Sequence, residues 1–249
     1  MSNVRSPRAS RRQAVRGSGE RREATAERSP RLARRRRETR VRLLDAAFAL
    51  IVKKGMEGVT INAITNAADV GFGSFYNHFD SKEGLLTALV DWLFAQFVET
   101  LDGLVGGLSD PAEVVAVSVR HTLLRACYEP AWGHLLIREG LSARALSSRL
   151  GQRLLRDARR GIAQSRFVVS DELISVLSVI GTVLAGLAVE LHFPASSKTI
   201  GRSRKVLRSR QERFAQNIAA VVLQALGLKR VEAEKVARRP MPAGDASVR

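Results

Sequence analysis

The stretch Thr60-Ile-Asn-Ala-Ile-Thr-Asn-Ala-Ala-Asp-Val-Gly-Phe-Gly-Ser-Phe-Tyr-Asn-His-Phe79 decides the fold. It reads as two short helices joined by a tight turn. Thr60 is a good N-cap, since its hydroxyl can accept from the unsatisfied amides of a first helical turn. Ile61, Ile64 and Ala68 follow on one face, the spacing of a helix that buries one side. Asp69 tolerates the left-handed conformation that ends such a helix, Val70 plugs the turn inward, and Gly71 and Gly73 keep it slim. In the second helix Phe75 and Phe79 stand four apart and point to the core, leaving Ser74, Tyr76, Asn77 and His78 on other faces. A small helix with hydroxyl, amide and imidazole groups outside meets the physical need of major-groove reading.

Upstream, Leu43, Leu44, Ala47, Phe48, Ile51 and Val52 recur with the spacing of one helical face, and Gly55 stops that helix. Order is expected to begin near Glu38. Residues 1–37 hold Arg, Ser, Ala, Glu and Pro with almost no large apolar side chain, which predicts a disordered, Arg-rich arm. Downstream, helical stretches are expected over 81–105, 111–128, 131–138, 143–164, 171–192 and 203–226, with loops at Gly106-Gly107, Glu129-Pro130 and Pro194–Ser197. No alternating strand pattern interrupts them, so the fold class is all-α with about nine helices. The domains that follow are 38–92 for nucleic-acid reading, with three helices, 93–228 as a larger helical domain, and 229–249 as a flexible basic tail.

Charge sharpens this division. The formal net charge is +17, but residues 1–40 carry 14 Arg against 4 acids, and 41–192 carry 14 basic groups against 16 acidic ones. The surplus is terminal, which favours a polyanionic partner without giving it sequence specificity. Residues 41–92 hold four basic and six acidic groups, so attraction to DNA must come partly from the arginine arm.

The central stretch resembles the tetracycline-repressor (TetR) family: a threonine-led helix, an Ala-Ala-x-Val turn, and a Tyr-x-x-Phe helix followed by a lysine. The matching residues are Thr60, Ala67, Ala68, Val70, Gly73, Tyr76, Phe79, Lys82 and Leu85, and the likeness covers roughly residues 38–92. Asp69 departs from the glycine frequent in the family. The resemblance implies a homodimeric regulator, by the family's habit a repressor, that is released from a palindromic operator in double-stranded DNA by a small-molecule effector. It implies phosphate contacts for Thr60, Tyr76 and Lys82, and places Phe72, Gly73, Ser74, Asn77 and His78 nearest the bases. A lysine in the first turn opposes the helix dipole, an objection that a phosphate bound to Lys82 would remove.

The C-terminal half is read from pattern alone. Leu173–Val189 holds 17 residues without a charge, about 25 Å of helix and short of the ~20 residues a bilayer demands. With Ser175, Ser178, Gly181, Thr182 and Ala185 at helical spacing, it is read as a buried dimer helix, with no membrane span. The stripe of Phe214, Ile218, Val221, Val222 and Leu226 would complete a four-helix interface with symmetry mates. Candidate effector-pocket residues are the apolar Phe94, Phe97, Leu123, Leu124, Trp132, Leu135, Leu136 and Leu154, with His121, His134 and Arg138 as polar anchors, and they suit an apolar or amphipathic effector.

Catalysis has little support. Cys127 has no evident His partner, and His78, His121, His134 and His192 show no metal-ligand spacing. No phosphate-cradling glycine loop or nucleophile elbow is present. No enzyme, cofactor or metal is therefore expected, and one cysteine with no secretion signal points to the cytoplasm. The rival reading is a non-specific basic nucleic-acid-binding protein, for which the Arg-rich ends would suffice.

Overall fold

The computed structural model describes residues 10–142, 144–192 and 204–242, with side chains from residue 31 and, after the second gap, from 206. The described residues form ten α-helices and no strand: α1 (Ser10–Lys54), α2 (Ile61–Ala67), α3 (Phe72–Tyr76), α4 (Lys82–Val105), α5 (Pro111–Tyr128), α6 (Pro130–Gly140), α7 (Arg149–Ala163), α8 (Glu172–His192), α9 (Arg204–Ala225) and α10 (Arg230–Ala237). They divide into two compact units, residues 1–86 and 87–249. The expected loop at 194–197, the first nine residues of the arm and the end of the tail lie outside the described residues.

In the first unit α2 packs on α1 and α3. Leu43, Leu44, Ala47, Ile64, Ala68, Phe75 and Phe79 are buried there, whereas Val52, expected on the same face of α1, is 54% exposed, so the apolar spacing defines the core face up to the last turn of that helix. Gly55 has φ +72°, the left-handed conformation that glycine adopts at least cost, and its amide donates to the Ile51 carbonyl at 2.9 Å. The expected flexible arm differs from what is observed, because the backbone of α1 is already helical from Ser10. Residues 31–38 are exposed throughout, so this is helix without a core. Arg, Ala and Glu have high helix propensity, and a segment that extends an existing helix escapes the cost of nucleation.

In the second unit α5 is the central helix, in contact with α6, α7, α8, α9 and α10. That position explains why it is buried almost all round, from Pro111 to Ala126. Asp110 caps it, accepting from the Ala112 amide at 3.0 Å. The helix expected over 143–164 starts only at Arg149, since Ser148 accepts from the Gly151 amide and caps α7 there. Ser142 and Ser147 donate to the Glu139 and Arg144 carbonyls, the local side-chain bonding by which serine competes with helix. Gly151 permits the tight approach, for a Cβ there would lie 2.2 Å from the Ala145 carbonyl oxygen.

The flexible tail expected at 229–249 is corrected over its first part. Residues 230–237 form α10, with Ala233, Val236 and Ala237 buried against the unit. The apolar residues fall three and four apart, which a tail reading based on charge overlooks. Arg239 then pairs with Asp110 at 3.2 Å and Glu113 at 2.6 Å. Arg120, 3% exposed, pairs with Glu212 and donates to the Arg239 carbonyl at 2.6 Å. This ion-pair cluster ties α5, α9 and the segment after α10 together.

On α8, Leu173, Ile174, Leu177 and Val189 are exposed, as is Val221 on α9. By length and composition alone α4 and α8 could each cross a membrane.

Candidate DNA-binding interface and ligand cavity

The turn between α2 and α3 has the conformation that its residues dictate. Thr60 caps α2, its Oγ1 accepting from the Ala63 amide at 3.2 Å. Asp69 has φ 52°, and the Val70 amide donates back to the Thr65 carbonyl at 3.0 Å. Phe75, fully buried, and Phe79 meet at a tilt on the inner side of α3, their ring centres 5.7 Å apart. On the other side Phe72 and Tyr76 are half exposed and meet edge to face at 5.7 Å. Gly73 and Asn77 are exposed, whereas Ser74 and His78 are half-buried. Lys82 opens α4 beside Ser81, whose hydroxyl accepts from the Gly84 amide at 3.0 Å. The candidate residues thus fall on α3 and its C-terminal end, at the N-cap of α2 and at the first residue of α4.

Two residues of this surface escaped sequence reading. Arg36 donates to the Asn77 carbonyl and Arg40 to the His78 carbonyl, each at 3.0 Å. The Arg40 guanidinium also lies 4.4 Å from the centre of the Phe79 ring. These cations close the C-terminal end of α3, where the helix dipole favours positive charge, and they bring basic groups to a helix that has none. Their spacing of four residues was the only signal, and it does not say what they reach. Burial first, then Arg36 and Arg40, pull the His78 imidazole below its ordinary pKa. It is therefore neutral at pH 7, with one donor and one acceptor.

The second unit contains a cavity of about 110 Å³, walled by α4, α5, α6, α7, α8 and the turn before α7. Phe94, Leu136, Leu154, Val179, Ile180 and Leu184 give it apolar sides, and Ser118, Thr122, Ser148 and Arg153 supply polar groups. Of the expected pocket residues Phe94, Leu136 and Leu154 line it, whereas Phe97, Leu123, Leu124, Trp132, Leu135, His121, His134 and Arg138 do not. Phe97, Trp132 and His121 form a buried cluster, with ring centres 4.7 Å (Phe97 to Trp132) and 5.9 Å (Phe97 to His121) apart and the Arg125 guanidinium 4.8 Å from the Trp132 ring. Leu124 is core. His134 is exposed against His192, and Arg138 is an exposed partner of Glu139. Large apolar side chains on these helices serve packing, and the wall could not be told from the core without knowing how α7 lies. Cys127 is half-buried, its thiol pushed up to about 11 by burial and by Glu190, which makes it a poor nucleophile.

A short, outward-facing helix set by a capped, left-handed turn defines a helix-turn-helix DNA-binding protein, here followed by a helical domain with a cavity among its helices. The chain belongs to the tetR family of bacterial regulatory proteins: residues 43–89 match that family, and residues 110–239 match the tetracyclin repressor-like C-terminal domain. Among solved structures it is similar to RolR in complex with resorcinol, at 32% identity and TM-score 0.63, over 84% of this chain and 98% of that one. The transcriptional regulator CymR of Pseudomonas putida is 26% identical over 200 residues, 74% of this chain and 95% of CymR. The transcriptional repressor KstR2 of Mycobacterium tuberculosis is 38% identical over 64 residues, 24% of this chain, a match that spans only 32% of KstR2.

Proposed function

We propose that the protein is a homodimeric transcriptional repressor that reads a palindromic operator and leaves it when a small, largely apolar effector fills the cavity. The carrying observation is α3, a five-residue helix whose Phe72, Tyr76 and Asn77 face solvent while Phe75 and Phe79 hold it to the core. An exposed aromatic pair on so short a helix costs solvation unless a partner covers it.

In this reading Thr60, Tyr76 and Lys82 bind phosphates, and Gly73 lets the backbone approach the groove. Phe72, Ser74, Asn77 and the neutral His78 meet base edges. Arg36, Arg40 and the basic stretch of α1 upstream add charge that neutralises phosphates regardless of sequence. The exposed apolar residues of α8 and Val221 of α9 form the dimer face, which sets two reading heads at least one DNA turn apart. Such a regulator works in the cytoplasm, beside the chromosome.

RolR, bound to resorcinol, supports a small hydroxylated aromatic as the effector class. The long helix α4 runs from Lys82, a proposed phosphate contact, to Val105 and carries Phe94 and Leu101 of the cavity wall. Ligand that prefers one setting of α4 would shift the population of DNA-competent dimers. The test is selection of random DNA by the purified full chain at near-physiological salt. Enrichment of one palindrome is expected, while equal recovery of random duplex and RNA would favour a non-specific basic binder.

A further inference from the structure

The cavity has one polar group whose bonding is incomplete. Arg153 is 5% exposed on α7 and lines the cavity. Its Nε donates to Asp102 at 2.8 Å, and its Nη1 pairs with Asp157 at 3.0 Å and donates to Ser118 Oγ at 3.3 Å. Its Nη2 is buried without a hydrogen-bond partner. Native structures rarely leave a buried guanidinium donor unmade, because its desolvation is then uncompensated. A ligand acceptor in the cavity would complete it.

The charge around this donor limits what that acceptor can be. Arg156 bridges the same two acids, at 2.9 Å to Asp102 and 3.1 Å to Asp157. Burial works against ionisation of Asp102, but the hydrogen bonds from Arg156 and Arg153 outweigh it and hold its carboxyl below the usual range. Two guanidinium groups and two carboxylates leave the cluster with no net charge. An anionic ligand would therefore bring an unpaired charge against apolar walls, at a large desolvation cost. A neutral oxygen brings none. The volume, about 110 Å³, is of the order of the apolar cavity of about 150 Å³ that takes up benzene, a single ring.

We propose that Arg153 anchors the effector through Nη2, and that the cavity selects a single neutral ring bearing a hydroxyl oxygen over the same ring bearing a carboxylate or no polar group. The proposal rests on the effector-cavity reading above. The Ser118 hydroxyl, beside Nη1 and in the same wall, provides a second polar contact for a ring with two oxygens.

Calorimetric titration of the full-length protein with toluene, phenol, resorcinol and benzoate at pH 7.5 tests it. Phenol and resorcinol are expected to bind at least tenfold more tightly than toluene or benzoate. In Arg153→Lys, which keeps the charge but loses the planar fork that serves Asp102, Ser118 and the ligand at once, phenol binding falls at least tenfold and its advantage over toluene is lost. Toluene binding as tightly as phenol overturns the anchor and leaves the cavity reading standing. Tighter binding of benzoate overturns selection for a neutral ligand. If none of the four binds, the cavity reading fails and the anchor falls with it. Should Arg153→Lys not fold, the ratios measured on the wild-type protein decide alone.

Discussion

Asp69 holds a left-handed conformation, which costs a β-branched residue roughly 1–2 kcal/mol and glycine almost nothing. Asp69→Val is therefore expected to lower stability by about 1–2 kcal/mol in urea unfolding, and Asp69→Gly to leave it nearly unchanged. His78 makes stability depend on pH. Its folded pKa lies below the ordinary 6.5, so on acidification the unfolded chain takes up the proton first. Its contribution is complete above pH 6.5 and is lost as pH falls from there toward the folded value. A urea midpoint followed from pH 7.5 down to 5 should fall, and His78→Gln should flatten that part of the slope. These local features are the ones the sequence makes legible. Thr60, Asp69 and Gly55 act on neighbours within a turn, so residue type and spacing suffice. Arg36 and Arg40 reach carbonyls 41 and 38 residues away, and no local rule predicts that.

Among the elements, α10 shows how charge can mask a helix. Residues 229–249 are basic overall, yet Ala233, Val236 and Ala237 are buried, and the ion pairs of Arg120 and Arg239 depend on the fold that α10 completes. Glu212→Ala would leave the Arg120 guanidinium buried without its carboxylate, and breaking a buried pair in this way costs about 3–5 kcal/mol. Because Glu212 is partly exposed, the lower end is expected in thermal or urea unfolding. The polar side of the cavity wall was hidden as well. Arg153 and Asp157 stand four apart in sequence, but only the packing of α7 shows that they are buried together with Asp102 and Arg156. The basic upstream part of α1 acts at this scale too. Deleting residues 2–34 is expected to weaken binding to all DNA and to flatten its dependence on salt, with preference among sequences retained. Unchanged affinity across a salt series would refute that role.

For the whole molecule, the apolar residues left open on α8 must be covered for the chain to act as a symmetric reader. Ile174→Glu with Leu177→Glu places charges in that face and should shift sedimentation from dimer to monomer, with helicity kept. A monomer would hold one half-site and lose most of its affinity for a palindrome. The all-α class was legible because helical spacing recurs from Leu43 to Leu226. The proposed pairing of copies rests on the apolar stripe that the sequence already shows along α8 and that the fold leaves exposed at Leu173, Ile174 and Leu177.

Footprinting of the protein on the DNA it selects tests the central claim most directly. Two protected half-sites, related by twofold symmetry and centred at least one helical turn apart, are the predicted result. A single protected half-site, or protection spread evenly along the duplex, would contradict it.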